Sequence, residues 1–211
     1  MSTSKMVAPE LASIEIKGMT RHAFMLRSTV AAGAVYGLST VGPFVGRALA
    51  QGDGGDVDIL NYALTLEYLE SAFYAMALKE VQFSGDTKKL VETLGKDEDE
   101  HVDALKATIK DLGGKPVKAP GVDFGKAFAN EKSFLKLSAT VEDLGVSAYN
   151  GAAPQIKSKE VLGAAGGIVQ VEARHAAAIR FLRGQPITES AFDKPLEMQA
   201  VLDAAKPFIK S

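Results

Sequence analysis

The chain has no cysteine. Disulfides, thiolate zinc sites, cysteine-ligated iron–sulfur clusters, CxxCH haem attachment and a lipidated N-terminal cysteine are thereby excluded. Tryptophan is also absent, and histidine occurs three times, as His22, His101 and His175. No excess of positive charge exists: 24 Lys/Arg stand against 26 Asp/Glu. Without a polybasic footprint, nucleic acid is not an expected partner. Metal or redox chemistry must draw on oxygen and imidazole donors. The rest is ordinary for a globular chain. Hydrophobic residues make up 46% of 211, enough for one well-cored domain and too many for a disordered one.

The first fifty residues read as an address. Lys5, Lys17, Arg21 and Arg27 outnumber Glu10 and Glu15, residues 28–45 carry no charge, and Arg47 and Ala48-Leu49-Ala50 follow. A basic region, an apolar region and A-x-A are the parts of an export signal, so cleavage is expected after Ala50. A membrane span is the weaker reading, because the run is short and holds Gly33, Gly37, Gly42 and Pro43. No stable span is expected after cleavage. Thr20-Arg21-His22-Ala23-Phe24-Met25-Leu26 resembles the twin-arginine export pattern, with His22 in place of the second arginine. That substitution leaves twin-arginine and general secretion both open. The expected location is periplasmic or extracellular, and the exported part, 51–211, has a formal charge of −5.

Four long amphipathic helices are predicted there. The first spans 58–81 with Asp58 as N-cap and Leu60, Leu64, Glu67, Ser71, Tyr74, Leu78 and Val81 on one face. The second spans 87–112, with Leu90, Leu94, Glu98, His101, Leu105, Ile109 and Leu112 in line, and ends at Gly113-Gly114. The third spans 123–150, with Phe124, Phe128, Leu135, Ser138, Glu142, Gly145 and Tyr149. The fourth spans 158–183, with Leu162, Ala165, Ile168, Glu172, His175, Ile179 and Leu182. A short tail helix is expected over 196–205. No period-two alternation predicts a strand. Four helices of similar length suit a bundle.

The polar residues on these apolar stripes carry the chemistry. Glu98-x-x-His101 and Glu172-x-x-His175 each project from one side of a helix, and Glu67 and Glu142 come from the other two. Four buried carboxylates repel and are costly to desolvate. Two divalent cations would cancel their charge and give each imidazole lone pair an acceptor. One Glu from each of two helices and Glu-x-x-His from each of the other two is the ligand pattern of di-iron and di-manganese bundles. With 12 Glu and two His in 51–211, both histidines would have Glu three residues before them by chance in about 0.6% of sequences. The halves also repeat. Tyr74 follows Glu67 by seven residues, as Tyr149 follows Glu142. Asp97, Asp99 and Glu100 are expected to be solvated. Glu70 is left between a fifth acid, a supporting group and a solvated residue.

Residues 61–74, Asn-Tyr-Ala-Leu-Thr-Leu-Glu-Tyr-Leu-Glu-Ser-Ala-Phe-Tyr, and 171–177, Val-Glu-Ala-Arg-His-Ala-Ala, resemble the exported branch of the ferritin-like superfamily that includes desiccation-related proteins. The resemblance covers 56–211. It implies an all-α, antiparallel four-helix bundle with one long crossover and a short tail helix. By analogy with bacterioferritin and rubrerythrin it implies two iron or manganese ions. Glu67 and His101 would serve one, Glu142 and His175 the other, with Glu98 and Glu172 bridging. It further implies Fe(II) oxidation by oxygen, or consumption of hydrogen peroxide, in stress defence. Rubrerythrin's four-cysteine electron-transfer module is missing, so repeated turnover needs an external reductant. Iron sequestration without turnover, a purely structural stress role and a homo-oligomer all stay open.

Overall fold

The structure, a computed structural model, describes residues 55–210 and the backbone of 15–16 and 19–20, which pair antiparallel. The uncharged run 28–45 and the cleavage position after Ala50 lie outside the described residues. Four long helices follow, α1 Asp56–Glu80, α2 Gly85–Asp111, α3 Glu131–Ala152 and α4 Lys159–Leu182, then a short α5 Met198–Ala205. Among the described residues no helix is long and apolar enough to cross a membrane.

Hydrogen bonds at the helix ends fix the topology. A four-residue turn, 81–84, makes α1 and α2 antiparallel neighbours. The crossover 112–130 then travels back along α1. Early in it, Val117 N–H donates to Asn61 Oδ1 at 3.0 Å. Later, Phe124 and Phe128 pack on Phe73 with ring centroids 5.1 and 5.4 Å away. The crossover delivers α3 beside the α1–α2 turn, where Glu131 accepts from Ser84 N–H at 2.9 Å and from Thr87 Oγ1 at 3.1 Å. Hence α3 runs antiparallel to α1. Asp56, in the first turn of α1, accepts from the N–H groups of Lys157 and Ser158 at 2.7 and 2.6 Å. That places the start of α4 beside the start of α1, and these two helices run parallel. The order is up, down, down, up.

Crossover and tail together cover the outer side of α1. Leu60, Tyr62, Leu64, Leu66, Leu69 and Phe73 point in different directions around that helix, yet all are buried. Phe73 stacks on Phe134 of α3, centroids 5.1 Å apart, and Phe208 of the tail stacks on Phe124.

Several boundaries differ from the expected ones. The N-cap of α1 is Gly55, and Asp58 lies within the first turn. Helix α3 begins at Glu131, eight residues later than the spacing suggests, because Asn130 and Ser133 form a reciprocal capping box there. Phe124 and Phe128 are buried from the crossover instead, Phe128 within a single 3₁₀ turn, Ala127–Ala129. A two-residue ladder, Gly121–Val122 with Ile209–Lys210, ties crossover to tail where no strand was expected. Two stripe leucines are exposed: Leu162, off the buried face of α4, and Leu112, which caps the end of α2 instead of continuing its buried line.

The tail is docked tightly on α3. Leu196 N–H donates to Ser147 O at 3.1 Å, and a Cβ at Gly151 would lie 1.8 Å from Leu196 O. Gly151→Ala is therefore expected to push the tail off α3 and lower stability by about 1–3 kcal/mol, the usual cost of overpacking. A lower denaturant midpoint with faster proteolysis between 184 and 197 would register it; an unchanged pattern would contradict the tight docking.

Candidate metal centre

Glu67 of α1, Glu98 and His101 of α2, Glu142 of α3 and Glu172 and His175 of α4 all converge in the middle of the bundle. The four carboxyls are fully buried, and even His101, the most accessible of the six, is 9% exposed. Helical spacing stacks each Glu under its His one turn on. The groups form two sets with potential ligand atoms within 4.8 Å of one another: Glu67, Glu98, His101 and Glu172, and Glu98, Glu142, Glu172 and His175.

Glu98 and Glu172 belong to both sets, and each divides its oxygens between them. Glu98 Oε2 lies 3.0 Å from His101 Nδ1, while its Oε1 lies 2.8 Å from His175 Nδ1. Glu172 Oε1 lies 3.0 Å from His101 Nδ1, and its Oε2 3.7 Å from His175 Nδ1. Glu67 Oε2 approaches only His101, at 3.2 Å, and Glu142 Oε2 only His175, at 3.6 Å. The imidazole centroids are 6.3 Å apart.

The supporting contacts repeat across the halves. Tyr149 Oη–H donates to Glu67 Oε1 at 2.5 Å. Tyr74 Oη–H donates to Glu142 Oε1 and shares a 2.8 Å hydrogen bond with Ser138. Each tyrosine thus holds the acid of the opposite half. One support was not legible in the sequence. Asp97 is only about one-third exposed, and its Oδ2 lies 3.3 Å from His175 Nε2. It orients the ring so that Nδ1 faces the acids. Asp99 and Glu100 are exposed as expected, Asp99 accepting from Ser71.

Electrostatics follow from burial and crowding. Desolvation, with the charges of Glu172 and Glu67 added, pushes the Glu98 carboxyl well up, although both histidines pull it down. Burial raises Glu142 to about 7 against the pull of His175. Burial acts upward on Glu172 too, but the close approach and charge of His101 and His175 prevail and hold it near 2. Burial alone would lower both imidazoles. The surrounding carboxylates, Glu67 foremost for His101 and Glu142 for His175, raise them well above the ordinary range. Tyr74 and Tyr149, raised by burial and by the acid each faces, stay protonated donors. Without a cation this cluster must hold protons.

The atoms left over fit a cation. Glu98 Oε1, Glu142 Oε2, both Glu172 oxygens and His175 Nδ1 are buried without a hydrogen bond of good geometry. The close approach of His175 Nδ1 to Glu98 Oε1 is misaligned for one, as expected of two donor atoms aimed at a common ion. Oxygen and imidazole donors suit a hard or borderline divalent metal. Glu70 is buried, not solvated, and lies outside both sets. Burial and then the neighbouring acids push its carboxyl well up, and neither oxygen has a hydrogen-bond partner.

A search of curated proteins returned no match. The ferritin-like domain family matches residues 55–185, which span all four long helices and every residue of the cluster. A bundle whose crossover runs the length of α1, with an acid–histidine cluster at its centre, is what that match leads one to expect: the chain belongs to the ferritin-like domain family.

Proposed function

We propose that this is an exported dinuclear-metal carboxylate protein that oxidises Fe(II) or consumes hydrogen peroxide in stress defence. The observation that carries the reading is the pair of four-residue sets sharing Glu98 and Glu172. In this reading Glu67 and His101 hold one divalent ion, Glu142 and His175 the other, and Glu98 and Glu172 bridge. Two adjacent iron or manganese ions would supply paired electrons for reducing oxygen or peroxide.

The chain's own groups prepare the site. Tyr149 and Tyr74 fix the terminal acids by donating to one oxygen and leaving the other for metal. Asp97 sets the His175 tautomer. The Phe73–Phe134 stack and its neighbours keep bulk water from the α1–α3 side. With no cysteine in the chain, no thiol relays electrons, so repeated turnover of an iron form would draw on an external reductant.

Reconstituted protein is expected to hold about two Fe or Mn per chain by elemental analysis, as four bridging or terminal acids require. A repeatable value near zero would sink the assignment. Rapid mixing of the reduced di-iron form with hydrogen peroxide should give a burst near one peroxide per site, and the dimanganese form should be tested for steady oxygen release. If both metals bind and neither form outpaces free metal, the structural stress role becomes the better reading. For export, the mature N-terminus is expected at Gln51 or within a few residues, and secreted protein beginning at Met1 would refute cleavage.

A further inference from the structure

We propose that a small neutral oxygen ligand, dioxygen or hydrogen peroxide, enters the centre between α1 and α3 beneath α5, and is met there by Glu70 where it packs against Gly145. The proposal rests on the dinuclear-metal reading.

The two halves of the bundle match at nearly every position of the cluster: Glu67 with Glu142, Tyr74 with Tyr149, Glu98 with Glu172, His101 with His175. They part three residues after the terminal acids, where α1 carries Glu70 and α3 carries Gly145. These two positions face each other. A Cβ at Gly145 would lie 3.0 Å from Glu70 Oε1 and 3.6 Å from Glu172 Oε2. Glycine at 145 therefore lets the Glu70 carboxyl close up against α3, beside Glu172, an acid shared by both sets.

This pair borders a cavity. A void of about 50 Å³ has Glu70 and Gly145 in its wall, with Leu66, Leu69, Val141, Leu144, Ala205 and Phe208 around them. Exposed Thr140 and Ala204 mark its outer end, and Glu70, 2% exposed, its inner end. Apolar walls disfavour a hydrated ion, and the volume limits the occupant to a few heavy atoms. Both Glu70 oxygens are buried and unpartnered. A buried carboxyl without a partner is costly, and a peroxide or water in the cavity would supply one.

Xenon-pressurised crystals of metal-free protein test the route without any metal, and xenon is expected in the void between Leu66 and Leu144. Nitric oxide, a neutral diatomic probe, should bind the di-ferrous protein about tenfold more slowly in Gly145→Ala, with two irons retained. Leu144→Phe, farther out, should slow it as well and guards against a shift of Glu70 in the first variant. Glu70→Leu should keep both metals and slow peroxide-driven iron oxidation about tenfold, and Glu70→Gln should restore most of the rate. An empty void with unchanged nitric oxide rates overturns the route. Loss of metal from Glu70→Leu makes Glu70 a ligand and overturns its role here. Failure of the wild-type protein to bind metal sinks the dinuclear reading instead, while the xenon result still reports on the cavity.

Discussion

On the dinuclear reading, replacing Glu98 or Glu172 with alanine is expected to weaken binding at both metal positions at once. Each of these carboxylates sends one oxygen towards the His101 set and the other towards the His175 set. On that reading, deleting either would remove a ligand from both ions. Glu67→Ala and Glu142→Ala each touch one set, so they should weaken mainly one ion. In metal titrations the bridging variants should bind about 100-fold more weakly at both steps, at least as much as losing a supporting partner costs. The terminal variants should keep one tight step. Glu98→Gln and Glu172→Gln, close in volume, separate lost ligation from a cavity in the core. Terminal variants that lose both ions, beside bridging variants that keep one, would reverse the roles.

The helices and the six converging residues were legible because both rest on one period. A repeat of 3.6 sets apolar residues and their polar exceptions on the same face, so Glu98 and His101 fall in line with Leu94 and Leu105 before any tertiary contact is known. What the period cannot convey is which neighbour lies beyond the stripe. Phe124 and Phe128 keep helical spacing with Leu135, yet they reach the core from the crossover, and the capping box at Asn130 decides where the helix starts. Asp97 sits in an acidic run that reads as solvated, and only the approach of α4 brings His175 Nε2 to it. Glu70 looked ambiguous because one flank of a helix is solvated in a simple bundle. Here the α3 and tail contacts close that flank.

Glycine at 145 has the same character. In sequence it is one more small residue on the α3 stripe, equally suited to close helix packing. Its meaning comes from Glu70 opposite, whose Oε1 approaches the position a Cβ would take. The repeat between the halves is informative at this point because it fails.

Metal-free protein is expected to lose stability as pH rises from about 4.5 towards 7. Glu142 has an ordinary value of 4.5 and is raised to about 7 in the folded chain by burial. Below 4.5 it is protonated in both states and nothing is lost. Between 4.5 and 7 the unfolded chain releases this proton while the folded one keeps it, so unfolding becomes progressively easier. That single group contributes about 3 kcal/mol across the window. Glu70 and Glu98, also raised by burial, act in the same direction and extend the loss further. The raised histidines add to it above their ordinary 6.5. Glu172 works oppositely: held near 2, it contributes stability above 4.5 that is lost as pH falls towards 2. The optimum of the metal-free bundle therefore lies on the acidic side. On the dinuclear reading divalent ions should reverse the trend, because they would replace the protons and bind more tightly as pH rises. Thermal unfolding of chelator-treated and metal-loaded protein from pH 4 to 8 should show two curves that diverge with pH. At about 2–4 °C per kcal/mol for a domain of this size, the gap should reach several degrees in melting temperature by pH 7. A metal-free profile flat across that range would mean that the acids are not buried together.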